Sequence, residues 1–537
     1  MYSRYIIFIL SFFLFSCNSK NTNSFSDLKH AYSDWYFRNH TTTDFDFSSN
    51  YFKRYNQSLL LDYIEDLNRF DLELSQINYS DLSNEYKIDF KIIEEDIDRN
   101  LYTNKNISLI TQQDFFTLIN KSFDLIIMNS DLTYYNKIEL INVHLDNVVK
   151  YTNNYEYFIS IENKNCNSIN LNTDDLISSL KNLPYLLNID SNEIILSKID
   201  NLIKSLYKFK DWYNNKADNQ NIHSHTYHLN KEYFKSYKDS FLKESIYSYD
   251  SIMKHVNSNI ISLKNIIFDE SLKLYLINND EPIWVDERDS INVINWVIEN
   301  KINKHTYSKH NITEKIFKEY SDINTYLSNI AHNYYSSYPT FSDFVVDKYS
   351  CNKLEIVNND IYINLNSHDI YYNKYHLSDF IFENVISDYN IHKSLSQCNN
   401  SIRRIENKSY NKGVTLLLKH IFYVKNSDID SLYKINFYLN LLKNYSLVFN
   451  QDLLSGNNYE KNQIIKNLRK QTFINRGDLE LMYNKINSND FYIEDFVIYL
   501  HLLNLYEEKC IIKKQLSPSQ FINEIFIQGY IPYYFNK

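Results

Sequence analysis

Glycine is scarce in this sequence, with only four copies among 537 residues, and these four are widely separated. Phosphate-cradling loops and dinucleotide-binding fingerprints both need clustered glycines. The composition therefore excludes a P-loop and a Rossmann-type nucleotide site. The G-x-S-x-G elbow of the α/β-hydrolases is absent as well.

Cysteine is also sparse, and its five copies show no C-x-x-C spacing. A zinc ribbon and a C-x-x-C redox motif are therefore excluded. Apart from Cys17, the cysteines are Cys166, Cys351, Cys398 and Cys510. An exported location would permit disulfides between these four, but their spacing does not choose among the three pairings, nor between disulfides and free thiols.

Positive charge is in the minority too. The chain has 56 Lys and Arg against 66 Asp and Glu, a net charge of −10, and the basic residues form no stripe. Nucleic acid is therefore not expected as a partner. Hydrophobic residues make up 44% of the chain, so a chain of this length can bury a large core, as one domain or as two lobes.

Apolar residues recur at helical spacing along most of the chain, which predicts a predominantly α-helical fold. Three amphipathic stripes carry this prediction: Leu59, Leu60, Tyr63, Ile64, Leu67, Phe70 and Leu74; Tyr86, Phe90, Ile93, Ile97 and Leu101; and Ile199, Leu202, Ile203, Leu206, Phe209 and Tyr213. Pro184, Pro282 and Pro339 are predicted to lie between helices, where the missing N–H does least damage. The stretches NNDEP at Pro282 and SSYPT around Pro339 are the candidate boundaries. The first divides an N-terminal helical lobe, 27–280, from a C-terminal lobe, 281–537.

Residues 1–16 have the features of a lipoprotein signal peptide. Arg4 supplies a positive charge, and the apolar run from Tyr5 to Phe15 is too short to span a bilayer stably. The run ends in Leu14-Phe15-Ser16-Cys17, which resembles a bacterial lipobox. It predicts lipid attachment at Cys17, export, and a cell-envelope membrane as partner; an ordinary signal peptide with an incidental cysteine is the alternative. Residues 17–26 are polar and predict a flexible tether.

The segment from Phe382 to Ile421 is the centre around which the rest is organised. Just before it, LEIVNNDIYINLN alternates apolar residues on either side of an Asn-Asn turn. This pattern predicts a short β-hairpin near Leu354–Leu365. A helix is predicted from Phe382, then a polar link, then a second helix after Gly413. A strand followed by two helices can form a small cleft with converging side chains.

The order DIYINLN, FENVIS, NKGVTLLLKH and QFINEIFIQGYIPYYF resembles the bacterial domain-of-unknown-function 885 family. That family is described as zincin-like metallopeptidases, often cell-envelope lipoproteins, with H-E-x-x-P-G-H and E-G-W motifs. The matching positions are Tyr362-Ile363-Asn364, Glu383, Gly413, Phe521, Gly529 and Pro532. LNRFDLELSQINYSDLSNEYKIDF resembles the family's N-terminal helical region. The resemblance implies a large, two-lobed, helical zincin-like architecture with a small hairpin or sheet near a central cleft.

The metal-binding positions of that family are altered in this chain. Phe382 and Asp388 stand where the family has its two histidines, and Lys412 stands at the glutamate that the resemblance implies is a metal ligand. Zinc needs three protein ligands drawn from His, Cys and carboxylate, and a lysine ammonium repels the ion. We therefore expect no zinc, no other cofactor and no peptidase activity. Lys412 is predicted to occupy the old metal position and to pair with Glu383 or Asp388.

Other residues are candidates for a metal site built from different ligands. Four flank the centre as candidate substitute ligands: His368, Asp369, His376 and His392. Three more histidines are spaced as closely as metal ligands often are, but they lie in a polar stretch that favours a solvated loop: His223, His225 and His228. Glu383 would be the general base of an active hydrolase, and an exposed helix carboxylate otherwise. Cys398 near His392 is a weak candidate for a thiol nucleophile.

The last helix is marked at both ends. Ser517 is the predicted N-cap, Pro518 the first helical residue, and Gln520 completes a capping box. Gly529 is predicted in the left-handed conformation after the helix, and Pro532 prevents its continuation.

Two functions from different classes stay open. The first is a lipid-anchored envelope pseudoenzyme that keeps the helical fold and binds a peptide or envelope protein as a scaffold. The second is an active metallohydrolase with unconventional ligands, with zinc held around Glu383, Asp388 and His392. The oligomeric state is left open by the sequence.

Overall fold

The fold is that of a computed structural model in which helices predominate, and this confirms the predicted predominantly α-helical class. The structure describes residues 24–39, 57–106, 119, 123, 126–127, 133–153, 166–187, 192–219, 248–277, 279–280, 287–304, 307, 312–332, 334, 341–344, 354–357, 360–364, 373–426, 428–456, 460–473, 476–486 and 492–535. Within these ranges, no helix is both long enough and apolar enough to cross a membrane.

The chain forms two compact units, and each is discontinuous in sequence. Unit 1 comprises Met1–Thr226, Asp343–Asn366 and Asn400–Ile405, and unit 2 comprises Tyr227–Ser342, Ser367–Asn399 and Glu406–Lys537. The units do not coincide with the consecutive lobes 27–280 and 281–537, because residues 227–280 belong to unit 2 and two later segments of the chain belong to unit 1.

Unit 1 contains six long helices among its described residues: α1 (24–39), α2 (Gln57–Ser75), α3 (Asn84–Asn106), α4 (Tyr134–Asn153), α5 (Cys166–Leu186) and α6 (Glu193–Asn219). The amphipathic stripes in the sequence supply buried residues of α2, α3 and α6: Leu67, Phe70 and Leu74; Phe90, Ile93, Ile97 and Leu101; and Ile199, Leu202, Ile203, Leu206, Phe209 and Tyr213. The side chains of Leu59 and Leu60 lie outside those that the structure describes. The prediction that Pro184 lies between helices is wrong, because this residue lies inside the last turn of α5.

A buried carboxylate joins three parts of unit 1. Asp89 on α3 is 1% exposed and receives the Lys29 ammonium of α1, with 2.6 Å between Nζ and Oδ2. Arg403 Nε lies 3.3 Å from the other oxygen. Asn400 donates to both oxygens at 3.0 Å. The segment Asn400–Ile405 is therefore tied to α1 and α3 by charge and hydrogen bonds.

Three short strands form a sheet in the order β1–β3–β2, with β1 at Phe341–Phe344, β2 at Leu354–Val357 and β3 at Asp360–Asn364. β2 and β3 are antiparallel, and their register pairs Leu354 with Ile363 and Val357 with Asp360. The two residues between these strands, and Leu365 after them, lie outside the described residues.

Unit 2 holds the other long helices: α7 (Tyr249–Leu276), α8 (Glu287–Val297), α9 (Ile312–Ile330), α10 (Lys374–Phe380), α11 (Lys408–His420), α12 (Ser431–Gly456), α13 (Lys461–Gln471), α14 (Arg476–Ile486), α15 (Tyr492–Tyr506) and α16 (Pro518–Gln528). α7 packs along α12, and α11 packs against α15. The second central helix, α11, begins at Lys408 and not after Gly413, which lies inside it.

Four of these helices change to π-helix at their C-terminal ends, in the part of the chain that is described. The π segments are Ile298–Ile302 after α8, Ile381–Ile391 after α10, Ile421–Lys425 after α11 and Glu507–Ile512 after α15. π-helix is rare, and it occurs frequently at functional sites. Two of these segments, those following α10 and α11, meet at the predicted centre through the ring contacts of Phe382.

The last helix, α16, confirms its predicted signals. The Ser517 side chain accepts a hydrogen bond from the Gln520 N–H at 3.1 Å, and the Gln520 side chain accepts one from the Ser517 N–H at 2.8 Å. Pro518 is the first helical residue. Gly529 has a φ of 69°, a conformation open to glycine at little cost. Its ψ of −156° places it outside the ordinary left-handed helical region.

Candidate functional site

Two helices of unit 2 carry the predicted centre, and an asparagine begins each of them. The Asn373 side chain accepts hydrogen bonds from the N–H groups of Tyr375 and His376 and so caps α10. Asn407 caps α11 by accepting from the Tyr410 N–H at 2.9 Å. Asparagine at the N-cap satisfies donors that a helix leaves open. These caps fix the start of α10, which continues into the π segment that carries Glu383, and the start of α11, which carries Lys412.

A buried lysine occupies the position between the two helices. Lys419 on α11 is 1% exposed, and its Nζ lies 3.0 Å from Glu383 Oε1. It also forms an ion pair with Asp379 on α10. Asn440 on α12 donates to the other oxygen of Asp379. We call Asp379, Glu383, Lys419 and Asn440 the lysine cluster.

The charges in the lysine cluster determine each other's protonation. Burial raises the pKa of Asp379; Lys419 opposes this increase and Glu383 adds to it. Partial desolvation of the Glu383 carboxyl group would raise its pKa, but the charge and the hydrogen bond of Lys419 outweigh this effect and lower the pKa. Burial alone would lower the pKa of Lys419, but the two carboxylates raise it. The lysine is therefore an ammonium ion and Glu383 a carboxylate at neutral pH.

Phe382 is fully buried and belongs to an aromatic group. Its ring centroid lies 5.5 Å from those of both Phe422 and Tyr423. The Tyr423 hydroxyl lies 2.8 Å from the Ser378 hydroxyl. At the position of the family's first histidine, this chain therefore has hydrocarbon packing in place of a ligand nitrogen.

The predicted pairing of Lys412 with Glu383 is wrong. The Lys412 side chain is 57% exposed, and its ion pair among the described side chains is with Asp495 on α15, at 3.3 Å between Nζ and Oδ2. Burial raises the pKa of Asp495 to about 6, against the opposing effects of Lys412 and Ser409. The cation that pairs with Glu383 is Lys419, two helical turns further along α11. A pairing with Asp388 lies outside the described side chains.

Gly413 allows α11 and α15 to approach closely. A Cβ on this residue would lie 2.5 Å from Ile498 Cγ2 and 3.2 Å from the Tyr499 backbone nitrogen. The first distance is too short for non-bonded atoms, and the second is a tight contact. The glycine that matches the family's second motif is therefore required here for helix packing.

The residues at this centre do not fit zinc. Phe382 has no ligating atom, the carboxylates of Asp379 and Glu383 already face an ammonium ion, and zinc sites need uncharged or anionic ligands free to coordinate. No group of three His, Cys, Asp or Glu side chains with metal-binding geometry occurs among the described residues.

The other sequence candidates do not come together in what the structure describes. His376 lies in the first turn of α10, where its N–H donates to the Asn373 cap. Cys398 is a buried free thiol that donates to the Gln528 carbonyl, and Cys510 is also free. The following predictions lie outside the described side chains: Cys17, Cys166, Cys351, His223, His225, His228, His368, Asp369, Asp388 and His392.

Sequence reasoning missed Asp379 and Lys419. A signal was present for each. Lys419 interrupts the apolar run from Leu416 to Val424, so a helix buried on that face must bury its charge. Asp379 and Glu383 are four residues apart, the spacing that places two side chains on one helix face. The pairing itself had no signal, since it joins residues on separate helices.

Comparison with known proteins identifies the fold. No family model matches the chain, and no curated protein does. A solved structure described as a "putative lipoprotein of unknown function" from Shewanella oneidensis is similar, with a TM-score of 0.65 and 12% identity over 95% of this chain and 98% of that chain. A "putative lipoprotein" from Colwellia psychrerythraea has a TM-score of 0.62 at 12% identity, over 89% of this chain and 88% of that chain. The chain therefore shares a fold over most of its length with two solved structures.

Proposed function

We propose that this protein is a lipid-anchored lipoprotein of the cell envelope that acts as a binding or scaffold protein and not as a metallopeptidase. The lipobox-like segment ending at Cys17 supports the anchor. The two similar structures, each described as a "putative lipoprotein", support it as well. The proposal has three further parts. The chain is a divergent relative of the domain-of-unknown-function 885 family, it has a zincin-like architecture, and it is a pseudoenzyme.

The observation that supports an inactive centre is the position of Lys419. Its ammonium group lies between Asp379 and Glu383. Metal-dependent hydrolysis needs a Lewis acid that activates water, and a general base free to take its proton. A lysine ammonium cannot coordinate water as a Lewis acid, and it holds Glu383 in an ion pair. The centre therefore supports binding by shape and charge.

Two measurements test this proposal. A zinc titration of the mature protein by calorimetry, beside a peptide-cleavage assay, should give no stoichiometric binding and no cleavage. Zinc binding tighter than micromolar, with chelator-sensitive cleavage that is lost in Glu383→Gln, would establish the metallohydrolase instead. For the anchor, Cys17→Ser should leave the precursor uncleaved and abolish labelling by a fatty-acid analogue, and unchanged labelling would rule the anchor out.

A further inference from the structure

One end of the α4–α6 bundle in unit 1 exposes large side chains that soluble proteins usually bury. Tyr135 is 81% exposed and Tyr185 is 75% exposed. Tyr134 connects them: its ring packs edge-on against that of Tyr135, and its hydroxyl donates to the Leu187 carbonyl at 2.8 Å. The start of α4 and the end of α5 therefore form one surface.

The first turn of α6 lies toward the same end. Lys198 on α6 donates to the Asn142 carbonyl of α4 at 2.9 Å, and Thr152 and Ser205 share a hydrogen bond further along the same two helices. α4 and α6 therefore run in the same direction, and their first turns point to one end. Ile194, in that turn, is 66% exposed. We call Tyr134, Tyr135, Tyr185 and Ile194 the aromatic end.

The chemistry of the aromatic end matches the interface of a lipid bilayer. Tyrosine has an apolar ring and a polar hydroxyl, and it is enriched where membrane proteins meet the headgroups. Among the described residues, the exposed charges nearest to these side chains are Lys181, one turn before Tyr185, Glu139, one turn after Tyr135, and Glu193, next to Ile194. They add no excess of positive charge. Contact with lipid would therefore depend on apolar burial more than on anionic headgroups.

We propose that the aromatic end rests on the membrane to which the protein is anchored, an inference that rests on the proposed lipid attachment at Cys17. Residues 17–23, which precede α1, span at most about 25 Å when fully extended. Unit 1 is thus held next to the bilayer. This short segment limits the distance between unit 1 and the lipid anchor, but it does not set the orientation of unit 1. The surface chemistry of unit 1 therefore selects the face that contacts lipid.

Vesicle binding by the unlipidated protein tests this surface separately from the anchor. The mature chain, 17–537, carrying Cys17→Ser is mixed with phosphatidylcholine vesicles and sedimented. The triple variant Tyr135→Ser, Tyr185→Ser, Ile194→Ser should reduce the partition coefficient at least about tenfold. The matched control is Leu61→Ser with Leu72→Ser, two residues of α2 that are 59% and 62% exposed. The control should bind as the parent does, with little dependence on salt.

Three results would overturn the inference. They are no vesicle binding by the parent, equal binding by parent and triple variant, and a dimer in solution that the triple variant abolishes in the absence of vesicle binding. The last result would assign the aromatic end to a second copy of the chain. Failure of fatty-acid labelling at Cys17 would remove the anchor alone and would leave the vesicle result to stand by itself.

Discussion

Lys419 and Glu383 form an ion pair in which the cation is buried and the anion is open to solvent. The Nζ–Oε1 distance is 3.0 Å, and the exposed fractions of the two side chains are 2% and 58%. The inner side of the ammonium group faces Asp379, which is itself nearly buried. The lysine therefore needs both carboxylates, whereas Glu383 also has water.

Replacing Lys419 by methionine should lower the free energy of unfolding by about 3 kcal/mol at neutral pH, because Asp379 loses its cation while it stays buried. The loss should shrink in acid, where Asp379 takes a proton. Urea denaturation at pH 7 and pH 4 measures both values.

Lys461→Met is the matched control, because Lys461 and its partner Glu480 are both about half exposed, at 48% and 50%. It should cost about 1 kcal/mol or less. If the two substitutions cost the same, the lysine cluster contributes no more than a surface ion pair.

Lys412→Glu should destabilise the protein through Asp495 and not through Glu383. At pH 8 the two carboxylates repel each other. At pH 5 the penalty should be smaller, because burial raises the pKa of Asp495 to about 6 and a neutral Asp495 is not repelled. Unfolding at the two pH values measures the difference. The same penalty at both pH values would show that Asp495 is not the partner that matters.

Gly413→Ala should cost about 1–3 kcal/mol despite the higher helix propensity of alanine. The added methyl group would meet Ile498 at 2.5 Å, so α11 and α15 must separate. Combining it with Ile498→Ala should cost less than the sum of the single changes, because the truncated side chain makes room. A purely additive double variant would argue against this contact.

His420 should make the fold less stable in acid. It lies beside the Tyr499 hydroxyl, 3.1 Å from Nδ1, and burial, aided by Lys425 and Lys434, lowers the pKa of His420 to about 4. The unfolded chain therefore binds this proton more readily between pH 6.5 and 4, and stability falls as the pH drops through that window. The loss is at most about 3 kcal/mol.

The variant His420→Phe isolates this contribution. Its unfolding free energy should vary less with pH than that of the parent between pH 7 and pH 4. Asp495 changes stability in the opposite direction over part of this range, since its folded pKa is raised, and it is common to both proteins. Parallel pH profiles for variant and parent would mean that His420 is not held neutral.

The helical stripes and the last helix could be predicted because their signals are local. The apolar residues of α6 are buried as their spacing indicated, and Ser517, Pro518 and Gln520 mark the start of α16. Pro184 shows the limit of such reasoning. Tertiary packing carries α5 past a residue whose missing N–H should end it.

The central site could be predicted in part. The family resemblance points to Phe382 and Lys412 as ligand positions, and their chemistry is unsuited to zinc. The position of Lys419 could not be predicted in the same way, because Lys419 is not one of the positions that the family motif specifies. The residue that pairs with Glu383 lies outside those positions and comes from α11 only after the helices pack.

In the π segment Ile381–Ile391, the spacing of two residues in sequence does not give the same angle around the helix axis as it does in an α-helix. This segment is a π-helix, whose hydrogen bonds run from residue i to residue i+5. Each of its turns therefore contains more residues than an α-helical turn does. A motif such as H-E-x-x-P-G-H assumes the narrower α-helical turn. Two chains can therefore share its spacing letter for letter and still direct its later positions to different faces of the helix.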